Sequence, residues 1–289
     1  MPLLIEELRY LEDKADELRN LCVDTINWAG SGHIGGALSS MDILTILYHK
    51  YMNIDPNDPK WEHRDRFILS KGHIGVGFAP VLADKGFFDK ELLKNYNKTG
   101  SDFGMHLDSL KVPGLDASTG SLGHGLPIAL GTALAARLQN KSYTTFCLLG
   151  DGECNEGSNW EAAMAISNFN VTNLISIVDR NRQMMDGSTE DIMKLEPFSD
   201  KWRAFGFVVK EVNGHSFKEL SEAIDYALEE KLKPVVIIAN TVKGNGIDFM
   251  ENDYRWHYGG LDSEKIIQSK ESLKKYYEKR AAEVSRWAD

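Results

Sequence analysis

The sequence predicts an α/β fold, a parallel sheet covered by helices on both faces. Three observations carry that expectation. Apolar runs Thr144-Thr145-Phe146-Cys147-Leu148-Leu149 and Leu174-Ile175-Ser176-Ile177-Val178 flank a helical pattern at 157–169, which reads as a βαβ unit with a right-handed crossover. The pattern repeats, with strand-like 207–212 and 235–239 flanking helical 216–230. The first two runs also empty into polar turns, Gly150-Asp151-Gly152 and Arg180-Asn181. The carboxyl ends of parallel strands are where ligands sit in open α/β sheets.

The elements follow in order. Leu4, Leu8, Leu11, Ala15, Leu18 and Cys22 recur at helical spacing and predict a long first helix, stopped by Trp28-Ala29-Gly30-Ser31-Gly32. A second helical pattern, Leu38 to Tyr51, closes at Asp55-Pro56-Asn57-Asp58-Pro59. Arg66-Phe67-Ile68-Leu69 is a short strand that leads into Ser70-Lys71-Gly72-His73. Helices are expected at 74–85, 89–97 and 122–139, then the two strand–helix–strand units, then a charged helix from 263 to 287. No internal repeat, low-complexity tract or linker interrupts the chain. The expectation is one domain over 1–289, with 263–289 as its C-terminal helical extension.

Composition narrows the function. The 289 residues are 42% hydrophobic and 26% charged, an ordinary globular mixture. A net charge of −10 argues against a nucleic-acid partner. No apolar run approaches the ~20 residues of a membrane span. The charged stretch Met1 to Arg19 lacks a signal-peptide core. Cys22, Cys147 and Cys154 fit neither a metal spacing nor a disulfide framework. A cytoplasmic, reducing setting is expected.

Asp151 and Asn181 would deliver a carboxylate and an amide oxygen to one sheet edge. Hard cations such as Mg²⁺ take oxygen ligands and complete their shell with phosphate oxygens, so the pair reads as a site for a metal-bound diphosphate. Histidines occur repeatedly in glycine-rich turns: Ser31-Gly32-His33-Ile34-Gly35-Gly36, Ser70-Lys71-Gly72-His73, Gly104-Met105-His106, Ser121-Leu122-Gly123-His124-Gly125 and Trp256-His257-Tyr258-Gly259-Gly260. Glycine permits close backbone approach to a ligand, and histidine moves protons near neutral pH. One such histidine is usually structural; the set beside a metal pattern is not. His49 and His63 lack this setting, and His215 in Asn213-Gly214-His215-Ser216 reads as a turn and helix start. Gly72-x-x-Gly75-x-Gly77 lacks the order and context of a nucleotide loop. Lys243, in Lys243-Gly244-Asn245-Gly246, reads equally as a phosphate contact or a solvated charge. Glu156 and Glu161 suit a helix N-terminus or a partner surface.

Together these motifs resemble the N-terminal part of transketolase, the thiamine-diphosphate enzyme of sugar metabolism. Gly150-Asp151-Gly152 with Asn181, Ser31-Gly32-His33, Leu69-Ser70-Lys71-Gly72-His73, Ala117-Ser118-Thr119-Gly120-Ser121-Leu122-Gly123 and Lys243-Gly244…Trp256-His257 stand in family order over roughly 10–262. The resemblance implies the diphosphate-binding type of thiamine-diphosphate domain. It implies that Asp151, Asn181 and the Gln183 carbonyl ligate Mg²⁺ or Ca²⁺. Cofactor contacts would come from His73, Gly120, Ser121, Leu122, Gly150, Asp151, Gly152, Glu153, Asn181, Lys243 and His257. His33, His73, His106 and His257 would hold sugar hydroxyls and shuttle protons, and Glu156 and Glu161 would link paired sites across a dimer. His124 departs from a common glutamine, and Arg182-Gln183-Met184-Met185 is an unusual version of its segment.

Full transketolases continue into a pyrimidine-binding domain, which supplies the glutamate that activates the cofactor, and a C-terminal domain. The chain is therefore expected to be the small subunit of a split transketolase, forming an α₂β₂ heterotetramer with a C-terminal subunit and moving a two-carbon ketol unit between sugar phosphates. Pentose-phosphate cycling, aromatic-precursor supply and catabolism of a branched pentose all stay open. The alternatives are the α component of a 2-oxoacid dehydrogenase, disfavoured by the spread of histidines, and a non-catalytic cofactor-binding subunit.

Overall fold

A computed structural model describes residues 3–286; positions 1, 2 and 287–289, the ends of the expected domain and its last helix, lie outside the described residues. The chain runs through α1 (Ile5–Ala29), α2 (Ile34–Ile46), β1 (Arg66–Leu69), α3 (Gly75–Asp84), α4 (Gly125–Leu138), β2 (Thr145–Gly150), α5 (Gly157–Asn168), β3 (Leu174–Arg180), the short α6 (Thr189–Ile192), α7 (Phe198–Ala204), β4 (Val208–Asn213), α8 (Phe217–Glu229), β5 (Val235–Asn240) and α9 (Ser263–Arg286). The strands form a five-stranded sheet in the order β1-β2-β3-β5-β4, parallel at every pairing.

Side chains alternate between the sheet faces with the period of two that a strand imposes. Phe67, Leu69, Phe146, Leu148, Ile175, Ile177, Val235 and Ile237 pack in one core with residues of α1, α2, α3 and α8. Ile68, Cys147, Leu149, Leu174, Val178, Val236 and Ile238 pack in another with residues of α4, α5 and α7. Strands buried on both faces read as continuous apolar runs, as β2, β3 and β5 do. The edge strand β4 is only half-buried. α9 lies along α1. Among the described residues no helix is long and apolar enough to cross a membrane.

Several boundaries differ from expectation. α1 stops at Gly30, whose φ of +79° is the left-handed cap that glycine accepts without strain. α2 starts at Ile34 rather than Leu38, because Gly35 and Gly36 lie inside it. A Cβ on Gly35 would sit 2.7 Å from the Trp256 carbonyl oxygen, so this glycine serves close packing and not a turn. The last turn of that segment widens into a π-helical turn at Leu47–Tyr51. The stretch expected as a helix at 89–97 is a 3₁₀ turn, Lys90–Asn95; its buried Leu93 and Tyr96 are three residues apart, a spacing both helix types share. α4 starts only at Gly125, and the short α6 and α7 carry too few residues to display a period.

The register sets the site. Gly150 pairs with Asp179 and Arg180 with Asn240, so Asp151, Asn181 and Thr241 leave their strands at one edge.

Candidate cofactor and active site

Asp151 and Asn181 meet at the carboxyl ends of β2 and β3, both buried. The Asp151 Oδ1 accepts from the Gly152 amide at 2.7 Å, and Oδ2 accepts from the Arg182 amide at 2.6 Å and from Arg180 Nη1 at 3.1 Å. Burial pushes its carboxyl pKa up, and the Arg180 guanidinium opposes this. Arg180 also donates to Thr189, Glu190 and Glu196. Arg182 takes a φ of +64°, uncommon for a side-chain-bearing residue. That geometry turns its amide onto Asp151 and folds the unusual segment back, with the Met184 amide donating to the Gly187 carbonyl at 2.8 Å.

Asn181 is oriented from below. Its Nδ2 donates to Asp179 Oδ2 at 3.2 Å and Ser39 Oγ at 3.3 Å. The amide oxygen therefore faces the turn, where it accepts from the Gln183 amide at 3.1 Å. Asp179 is buried and takes hydrogen bonds from Ser39, Ser40, Thr241 and Lys71; the Lys71 charge beside it helps hold its carboxyl low against the opposing effect of burial. Sequence reasoning places Asp179 and Lys71 inside motifs and assigns neither a role. The signal was there in an acid inside an apolar strand, which demands a buried partner.

The expected ligands, a carboxylate, an amide oxygen and the Gln183 carbonyl, are all oxygens, the donor type a hard divalent cation takes. The Asp151 Oδ1, with one donor, keeps lone-pair capacity, whereas Oδ2 already accepts from Arg180 and Arg182. Lys243 is buried too. Its Nζ donates to the carbonyls of Met184 at 2.8 Å and Gln183 at 3.3 Å, and to His257 Nδ1 at 3.0 Å. Burial pulls its pKa down to about 8. Between the two readings of Lys243, the solvated one fails.

The structure brings the four selected histidines together. The His33 ring lies 5.0 Å from His73, 6.1 Å from His106 and 5.3 Å from His257, between centroids. His73 and His257 stack at 5.4 Å. Burial lowers the pKa of His33 to about 4 and of His257 to about 3, with neighbouring positive charge adding to both. His73 is also lowered, by burial and then by Lys71. These three rings are neutral at pH 7, each with one donor and one acceptor nitrogen. Because an ammonium only donates, Lys243 fixes His257 with its proton on Nε2. Among the described residues the buried Nδ1 of His33 has no hydrogen-bond partner, a polar atom with capacity for a ligand.

The remaining selected positions frame this space. Gly120 has a φ of +152°, and a Cβ there would stand 2.7 Å from His106. Ser121 is exposed and Leu122 half-buried on the same turn. A Cβ on Gly152 would meet Met184 Cγ at 3.1 Å. Glu153 is buried and its carboxylate accepts from Ser70, the Gly123 amide and the Gly150 amide, so it ties three loops together. Glu156 and Glu161 are exposed at the start of α5. His124 is exposed before α4. His63 is exposed beside Glu62, whereas His49 is buried between Tyr10 and Asp84. Gly75 and Gly77 permit close packing against the Met105 carbonyl and Ala37. Cys22, Cys147 and Cys154 are free and buried.

Residues 11–282 match the family described as transketolase, thiamine diphosphate binding domain. The chain is 41% identical over 254 residues to the 6-deoxy-6-sulfo-D-fructose transketolase subunit SqwG of Clostridium sp. (strain MSTE9), covering 88% of this chain and 92% of that protein. It is 38% identical over 276 residues to an apulose-4-phosphate transketolase subunit of Phocaeicola vulgatus, covering 94% and 97%. The crystal structure of Campylobacter jejuni transketolase superposes with a TM-score of 0.86 at 30% identity, over 97% of this chain and 48% of that one. The chain thus spans about half of that full-length enzyme.

Proposed function

The chain belongs to the transketolase family as an N-terminal subunit with the thiamine-diphosphate-binding domain, and from that premise we propose how its residues serve the reaction. It is a transferase subunit whose relatives are named subunits, so a partner supplies the rest of the site. We take that partner to be a C-terminal subunit with the pyrimidine-binding domain, in an α₂β₂ assembly paired through the face carrying Glu156 and Glu161. Residues 1–289 act as one domain, with the last helix as its extension.

Asp151, Asn181 and the Gln183 carbonyl hold Mg²⁺ or Ca²⁺. Lys243, Gly152 and His73 lie against the diphosphate, and Gly120, Ser121 and Leu122 against the ring system. Glu153 fixes the turns at Gly123 and Gly150 that close on it. Bound thiamine diphosphate would supply the electron sink that C–C cleavage needs. His33, His73, His106 and His257 bind the hydroxyls of a ketose phosphate donor and an aldose phosphate acceptor and move protons at their oxygens. The neutral rings of His33 and His73 can each give a proton at one nitrogen and take one at the other, while His257, its Nδ1 taken by Lys243, offers its Nε2 proton. The subunit works in the cytoplasm, where its buried thiols stay reduced.

One observation carries the reading: Lys243 joins the oxygen-ligand turn to the histidine cluster through bonds to Met184 and His257. The test is reconstitution. With the complementary subunit, thiamine diphosphate and Mg²⁺, the chain transfers glycolaldehyde from hydroxypyruvate to an aldose phosphate; alone it does not. Turnover by the isolated chain at the rate of the complex would refute the division of the site. Pyruvate decarboxylation without ketol transfer would refute the reaction.

A further inference from the structure

The turn Asn213-Gly214-His215-Ser216, by sequence a structural start to α8, does more than begin a helix. His215 Nε2 accepts from the Val242 backbone amide at 2.8 Å, and Nδ1 lies 2.7 Å from Asp42 Oδ2. A backbone amide only donates, so Nε2 carries the lone pair. The ring proton then sits on Nδ1 and is given to Asp42. Asp42, buried on α2, is gripped by Arg19 at 3.0 and 2.7 Å, and Arg280 of α9 stands 3.8 Å away. Gly214 allows the approach, since a Cβ there would collide with Thr241 Cγ2, and its amide donates to Asn240 at 2.8 Å.

Val242 directly precedes Lys243, and on its other side Thr241 donates to Asp179. The backbone at 241–242 is therefore pinned from β3 and from α2 at once. The same α2 begins beside His33. We infer that His215, oriented by Asp42, is a positioning residue for the cofactor site: it fixes the Val242 amide and thereby aims Lys243 at the diphosphate–metal end. This rests on the cofactor reading above and adds a residue that lies outside the site itself.

The test uses the complex with its complementary subunit, and reads thiamine diphosphate affinity by calorimetry in Mg²⁺. Loss of one well-placed hydrogen bond predicts that His215→Ala weakens cofactor binding about tenfold, with a smaller change in the sugar-phosphate Michaelis constant. His215→Gln carries a donor and an acceptor at about the spacing of the ring nitrogens and recovers most of the affinity. Nitrogen-15 NMR of the histidine-labelled, unmodified subunit finds His215 protonated at Nδ1 only, a readout that needs no variant to fold. A proton at Nε2, unchanged affinity in His215→Ala, or no recovery in a folded His215→Gln would overturn the inference. Asp151→Ala with Asn181→Ala separates the two ideas. If that pair abolishes binding while His215→Ala does nothing, only the positioning role falls; if the pair binds normally, the cofactor reading falls first.

Discussion

The ammonium of Lys71 lies 2.5 Å from the carboxylate of Asp179, both side chains buried. The pair ties the turn after β1 to the last residues of β3, directly beneath Asn181. Breaking a buried pair by removing one partner costs about 3–5 kcal/mol, because the other charge is left uncompensated. Lys71→Met should lower stability by about that amount in urea denaturation of the isolated subunit. It should also weaken cofactor binding, since Asn181 donates to the same carboxylate. Asp179→Asn in the Lys71→Met background should recover part of the loss; a Lys71→Met chain as stable as the original would contradict this account.

Divalent metal should be needed for cofactor uptake. Chelation of the reconstituted complex is expected to release thiamine diphosphate, and Mg²⁺ or Ca²⁺ to restore it, since the donor set is oxygen only. Asn181→Ala should raise the cofactor dissociation constant at least about tenfold, or about 1.4 kcal/mol. Equal affinity with and without chelator would remove the metal from the site.

His33 stands at the centre of the cluster. Its replacement by Ala should lower kcat by about 10²–10⁴-fold, the range of a lost acid–base group, and change cofactor affinity much less. A kcat within a few-fold of the original would exclude His33 from proton transfer.

Acid should destabilise the free subunit through its partly buried imidazoles. His33 and His49 fall to about 4 and His257 to about 3, from 6.5, chiefly by burial. The unfolded chain thus binds protons below pH 6.5 that the folded chain refuses. Their stabilising contribution is complete above that pH and is lost as pH falls through about 4. Thermal midpoints measured across this window should drop steadily. His49→Gln, remote from the cluster, should flatten the slope, and an unchanged slope would show that His49 does not titrate as its burial implies.

Much of this was legible in residues 144–181 alone. An apolar run ending in Gly150-Asp151-Gly152, a helix, and a second run ending in Asn181 define a βαβ unit and its ligand edge, because strand and helix periods are local properties. An ambiguous local signal misleads. Gly35 and Gly36 suggest a break but are helical, since what Gly35 accommodates is the approach of Trp256, far along the chain.

By itself the sequence determined the kind of element at most positions, the family order of the motifs, and the oxygen ligands expected of them. Only the tertiary structure decided that His33, His73, His106 and His257 share one space, that Lys71 reaches Asp179, and that His215 serves the turn before Lys243. The pairing of β5 with β4 brings the His215 turn beside Val242. The reason is physical: periodicity is written by neighbours three or four residues apart, whereas a buried charge or ring finds its partner through the packing of layers. That packing depends on all the apolar faces together and leaves no mark at any single position.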